Sequence, residues 1–248
     1  MATLTMHIPR RLAPLLAALL LSACATGNNP KDPLEHINRA TSTFNRQIDN
    51  YLMKPLAIGY EWALPGMLRQ GLGNVYGNLS EVRYFNNNLL QGKGERAADS
   101  FARLIVNSTF GMAGFFDVMA MVGVPARKED FGQTLAVWGV PDGPYLVLPL
   151  FGPSNLRDSM GYAGDYRFRS PDNFDDVRVR NSYFVARLVH TRSELRSATR
   201  LVDDAAVDNY TFVRDGYMQR RRFQIYDGNP PREYDPDDPD APDPGSKQ

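Results

Sequence analysis

The chain has a single cysteine, Cys24, among 248 residues, so no disulfide can close within it. Histidine is nearly as scarce, with three in all, and without a second thiol a zinc site would have to lean on carboxylates. No Gly-x-Ser-x-Gly elbow, His-Glu-x-x-His pair, P-loop or Gly-x-Gly-x-x-Gly occurs. Net charge is missing too, since 28 basic residues balance 28 acidic ones, and nothing points to nucleic acid or another polyanion. Nor does any apolar run reach the ~20 residues that cross a bilayer as a helix. Hydrophobic residues nevertheless make up 43% of the chain, which excludes disorder throughout.

The N-terminus is distinctive. Arg10 and Arg11 precede an apolar stretch from Leu12 to Leu21, too short for a stable span, so residues 1–23 read as a signal peptide. Leu21-Ser22-Ala23-Cys24 resembles the bacterial lipobox, which implies acylation of Cys24 as the first mature residue; several acyl chains on one residue anchor stably. An ordinary leader followed by a stray thiol is the alternative. Ala25, rather than aspartate, resembles lipoproteins passed on to the outer membrane. Without the leader's two arginines the net charge is −2, and the stretch from Asp227 to Gln248 concentrates seven acids against two bases.

Four segments follow: signal peptide 1–23, lipidated tether 24–31, helical domain 32–227, and an acidic, proline-rich tail 228–248 read as disordered. In the domain, Asp32 is placed as an N-cap, with Pro33 at the first helical position and Glu35 completing a capping box. Leu34, Ile37, Thr41, Phe44, Ile48 and Tyr51 share one helix face. A second set, Leu68 to Leu89, opens after Pro65 but holds Gly71, Gly73 and Gly77; either the helix breaks near Gly73 or the missing side chains permit close packing. A third helix is expected over Glu95–Val106, with Ala97, Ala98, Phe101, Leu104 and Ile105 as its stripe. Shorter helical signals return over 130–138, 155–160, 183–190, 193–207 and 210–225. "YLVLPLFG" is extended by composition, but Pro149 interrupts it and no alternating partner follows, so a mostly α fold with little or no β-structure is expected.

Polar residues among the glycines and prolines of 130–158 are candidates to line a polar passage: Asp130, Gln133, Trp138, Tyr145, Arg157 and Asp158. Turns, caps and buried ion pairs are the plain alternative for each. Ser154, Asp158 and His190 are compatible with a hydrolase triad but lack any elbow; Ser154 reads better as a helix N-cap, and His36 and His190 as surface residues. The apolar run Phe110–Val124, with Asp117 its one charge, reads by length as buried core, although Gly111, Gly114 and Gly123 weaken the helix.

Five motifs in order behind the lipobox resemble one family: "DPLEHINR…FN…D…KPLA", "GNLSEVRYFNNNLLQGK", "ARLIVNSTFGMAGFFDVM", "EDFGQTLAVWGVPDGPYLVLPLFGPSNLRD" and "FVRDGYMQRRRFQIYDG". They look like the MlaA (VacJ) lipoproteins of Gram-negative outer membranes. The resemblance implies a ring-shaped helical domain in the inner leaflet of that membrane, with an amphipathic central channel. It implies removal of misplaced phospholipid from the outer leaflet, a trimeric porin as neighbour, a periplasmic lipid carrier as recipient, and neither enzymatic activity nor a cofactor. Phe44, Asn45, Asn107 and Asp117 join the lipid-path candidates through these motifs. Anchor and resemblance together move the 110–124 run to half depth in the bilayer, lipid on one side and helices on the other, with Asp117 turned to a protein partner or the passage. A structural lipoprotein without transport and an anchored lipid hydrolase are the competing classes.

Overall fold

The computed structural model describes residues 32–168 and 175–232. The signal peptide, Cys24, the tether and residues 233–248 of the tail lie outside the described residues.

The architecture is helical, with one small hairpin. In order come α1 (Glu35–Ile48), a π-helical turn (Asp49–Met53), α2 (Lys54–Ala63), α3 (Gly66–Leu90) and α4 (Gly94–Thr109). Next are α5 (Val118–Met121), α6 (Phe131–Val137), the strands β1 (Tyr145–Leu148) and β2 (Gly152–Asn155), and α7 (Leu156–Phe168). The chain closes with α8 (Val177–Glu194), α9 (Arg196–Ala205) and α10 (Asn209–Ile225).

α3 runs unbroken for 25 residues after Pro65, so the helix does not break at Gly73; Gly71 and Gly73 admit close neighbours, and Gly77 does not. A Cβ on Gly71 would meet the Phe115 ring at 2.1 Å, and one on Gly73 the His190 ring at 2.9 Å, whereas Gly77 faces open space. A turn with Gly92 at φ +73° folds α4 back onto α3. α6 packs on α7, α2 on α8, and α1 along the hairpin. The strands are antiparallel, Tyr145 opposite Asn155 and Leu148 opposite Gly152. The partner of "YLVL" is therefore "GPSN", which carries no alternation to find.

Two local expectations are corrected. Asp32 does not cap α1; Leu34 holds that position without a side-chain bond, because the Asp32 carboxylate is buried and accepts from Tyr210 Oη and from Asn38 Nδ2 at 2.9 Å. Ser154 lies in β2 and bonds Ser159 Oγ; its neighbour Asn155 takes the capping role, its Oδ1 accepting from the Asp158 amide at 2.7 Å.

The run 110–124 forms no single helix. Met112, Ala113 and Gly114 are consecutive left-handed residues, followed by the one-turn α5. Non-glycine residues in that region are costly, and their turn is held by bonds from Gly114 N to Asn107 O (2.8 Å) and from Asn74 Nδ2 to Phe115 O (2.9 Å). Phe110, Met112, Met121 and Val122 point outward while Phe115 packs on Gly71. Among the described residues, no helix is long and apolar enough to cross a membrane.

Candidate functional site

The distribution of polarity is inverted. Among the described residues only Ala57, Tyr84, Ala97, Tyr145 and Tyr210 are buried apolar or aromatic side chains, whereas 22 polar or charged residues are buried. Large apolar side chains lie outside: Trp62 is 90% exposed, Phe110 78% and Met67 75%. The stripe of α1 follows this rule, with Ile37, Phe44 and Tyr51 exposed and Asn38 inward. On α4 the outward stripe includes Phe101 and Ile105, and the buried one is Ala97, Ser100, Arg103 and Asn107. Large apolar side chains outside and polar ones inside reverse the usual arrangement of a protein surrounded by water.

The interior is tied by ion pairs whose members sit on distant helices. On α10, Tyr217 and Arg221 share a face at i, i+4. Arg221 donates Nη1 and Nη2 to Asp130 at 2.7 Å each, and Nη2 also to Asp158 Oδ1 at 2.9 Å. Tyr217 Oη donates to Asp158 Oδ2 at 2.5 Å, and Arg157 joins through Nε at 3.1 Å. Burial alone would raise the Asp130 pKa; the Arg221 guanidinium overrides this and holds it at about 2. Burial, then the Asp158 charge, push the Tyr217 phenol up. Gly132 admits this knot, since a Cβ there would strike Arg221 Nη2 at 2.5 Å and Asp158 Oδ1 at 2.6 Å. Beside it Asp165 pairs with Arg83 at 3.3 Å and accepts from Asn87. A cavity of about 260 Å³ opens among Arg83, Asp130, Asp158, Asp165, Tyr217 and Arg221.

A second knot underlies the apolar run. Arg103 donates to Glu81 Oε1 (2.6 Å), Val124 O (2.6 Å) and Asp117 Oδ2 (2.7 Å). Asp117 also accepts from Asn107 Nδ2 at 2.9 Å and caps α5 at Ala120 N. Burial raises the Glu81 pKa; Asp117, which burial would raise as well, is held low by its bond to Arg103. Asp117 thus meets a protein partner, Arg103, within its own chain.

A third set joins the two ends of the described chain. Arg39 forks onto Asp208 at 2.7 and 3.3 Å and lies 4.4 Å from the Tyr210 ring centroid, beside the Asp32–Tyr210 bond. Two asparagines a heptad apart on α1 grip the hairpin. Asn38 bonds Tyr145 O (2.9 Å) and Val147 N (2.8 Å); Asn45 bonds Leu148 O (2.9 Å) and Leu150 N (2.8 Å).

Of the residues singled out from sequence, Asp130, Gln133, Arg157 and Asp158 come together in the first knot, where Gln133 is buried with Nε2 on Asp130 at 3.2 Å. Tyr145 is buried against the Tyr210 and Tyr217 rings. Asn107 and Asp117 meet in the second knot, and Asn45 holds the hairpin. Phe44 and Trp138 are about half exposed, Trp138 with its indole N–H on Leu90 O at 3.0 Å. Sequence reasoning missed Arg221, Tyr217, Arg103, Glu81 and Asn38; the signal available was a polar stripe at helical spacing on each parent helix. His190 is not a surface residue: it is 7% exposed, with Nδ1 3.0 Å from Tyr60 Oη and its ring beside Tyr76. Burial lowers its pKa. The would-be triad is dispersed, with Asp158 held by Arg221 and Tyr217, Ser154 by Ser159, and His190 by Tyr60.

Comparison with known proteins agrees with this geometry. The model of the MlaA lipoprotein family matches residues 30–224. The intermembrane phospholipid transport system lipoprotein MlaA of Escherichia coli K12 is 32% identical over 84% of this chain and 85% of its own length. Its namesake in Haemophilus influenzae is also 32% identical, over 88% and 90%. A solved structure reported as the structural basis for maintenance of bacterial outer membrane lipid asymmetry superposes with a TM-score of 0.68 at 31% identity. It covers 80% of this chain and 99% of its own. Leader motif, inverted helical body and these relatives converge: the chain belongs to the MlaA lipoprotein family.

Proposed function

We propose that this chain transports phospholipid between membranes and thereby keeps the outer membrane asymmetric. Acylated at Cys24, it sits at the periplasmic face of the outer membrane of a Gram-negative cell. Phospholipid misplaced in the outer leaflet passes its polar centre and is handed to a periplasmic lipid carrier, with a trimeric porin alongside. The one observation that carries this reading is the inverted burial. Outward Trp62, Met67 and Phe110 match acyl chains, and inward carboxylates and guanidinia offer a headgroup the partners that hydrocarbon withholds. An unpaired polar group in hydrocarbon costs several kcal/mol and a charge far more, so a polar wall removes most of the barrier.

Transport of this kind makes and breaks no covalent bond, so no catalytic residue is required. Direction follows from where lipid is in excess and from removal by the carrier. Asp130, Gln133, Tyr145, Arg157 and Asp158 contribute the inner frame of the passage. Phe44, Asn45 and Trp138 place its apolar flank and hairpin, and Asn107 with Asp117 fixes the half-buried run. The test is Cys24→Ala in cells, with phospholipid at the surface as readout. The unanchored protein, present at normal level, is expected to leave the outer leaflet enriched in phospholipid; full protection of asymmetry would overturn the reading.

A further inference from the structure

A cavity of about 430 Å³ lies where α1, the π-helical turn, the start of α2, α8, α9 and α10 meet, within the ~300–1,000 Å³ range of small-ligand pockets. Five cations line it: Arg46, Lys54, Arg192, Arg196 and Arg200. Two are neutralised, Arg192 by a two-pronged pair with Asp49, and Arg196 by a fork onto Glu61 at 2.9 and 2.5 Å. Asp203 is the one further lining carboxylate, and it accepts from Asn209 Nδ2 at 3.2 Å. Arg46, Lys54 and Arg200 have no ion-pair partner among the described residues, so the cavity keeps an excess of two positive charges. All three stand at the exposed rim of the cavity, so their charges face whatever enters it from outside. The wall also contains the π-helical turn, through Asp49 and Asn50, an irregularity frequent at functional sites. Val202 and Val213 give it an apolar side.

Like charges gathered in one concavity repel until an anion enters, and a concave wall focuses their field. An anion with hydrogen-bond acceptors and an apolar stem answers both sides of the cavity. We propose that this cavity is a phosphate-ester site, with Arg46, Lys54 and Arg200 as the counter-charges. Resting on the transport reading, it takes the phosphodiester of a phospholipid headgroup and favours a net anionic headgroup over a zwitterionic one.

The test uses the full chain in non-ionic detergent and calorimetric titration with three probes. These are a short-chain phosphatidylglycerol, a phosphatidylcholine with the same acyl chains, and glycerol phosphate. Wild type is expected to bind the phosphatidylglycerol about tenfold more tightly than the phosphatidylcholine, and Arg46→Gln/Arg200→Gln to erase that difference with an unchanged unfolding midpoint. Lys54→Gln narrows it separately, should the double variant fold poorly. Equal binding of the two lipids by wild type, or a preference that survives the double variant, overturns the site. Glycerol phosphate binding as tightly as phosphatidylglycerol overturns the lipid assignment in favour of a soluble phosphate ester. Failure of wild type to bind either lipid would count against transport itself.

Discussion

Arg103→Leu probes the inverted interior most sharply, because it leaves a carboxylate stranded. Glu81 is 1% exposed and its ion-pair partner is Arg103. With the guanidinium gone, Glu81 escapes an unpaired buried charge by taking a proton. At pH 7, neutralising a carboxyl whose ordinary pKa is 4.5 costs about 3 kcal/mol at 1.36 kcal/mol per unit. The lost bond to Val124 O adds about 1 kcal/mol, and Asp117, whose side chain is 27% exposed, rehydrates at little cost. The expected loss is therefore up to about 4 kcal/mol, smaller to the extent that burial already raises the Glu81 pKa in the intact protein. A protonation-limited penalty depends on pH. Raising the folded-state pKa of Glu81 removes stability as pH climbs above 4.5, so at pH 5 the same variant should lose only about 2 kcal/mol. Denaturant unfolding in detergent at the two pH values measures both. Arg103→Leu/Glu81→Leu, which buries no charge, should recover most of the loss. A deficit below about 1 kcal/mol at pH 7, or one independent of pH, would refute the reasoning.

Other consequences can be checked with the same material. Gly71→Ala must displace the Phe115 ring and should destabilise by about 1–3 kcal/mol, whereas Gly77→Ala, with nothing in its way, should stabilise by up to about 1 kcal/mol. Asp130, held at about 2 against an ordinary 3.8, lends stability above pH 3.8 that fades as pH falls to 2. That loss is about 2 kcal/mol and should be absent from Asp130→Asn, as acid titration of unfolding would show. Trp62 and Trp138 are the only tryptophans; in liposomes the 90% exposed Trp62 should be quenched by brominated acyl chains and shielded from aqueous acrylamide. The reverse pattern would place that face in water.

The helices were legible because their periodicity and their Pro and Asp punctuation are local. Pro65 opens α3, Asp130 caps α6 with Oδ1 on Gln133 N at 2.9 Å, and the stripes of α1 and α4 do lie on single faces. Which face turns inward was not local. An amphipathic pattern marks two sides without saying which solvent surrounds the molecule, so Ile37 and Phe44 could be read as core until Asn38 was seen gripping the hairpin. The Arg221–Asp130 pair spans 91 positions and Tyr210–Asp32 spans 178, distances over which one sequence carries no pairing signal. Asp32 shows the conflict well: a sound capping box forms locally in principle, but a buried tyrosine hydroxyl from the far end of the chain took its carboxylate. The two knots needed the fold before they could be recognised, although each polar stripe was already visible along its helix.

An inverted helical body that clears phospholipid from the outer leaflet makes its own loss visible at the cell surface. The measurement is the amount of phospholipid at the cell surface after deletion of this chain, and after return of the intact chain at its natural level. The account predicts a rise on deletion and full reversal on return. An outer leaflet unchanged by deletion would contradict it.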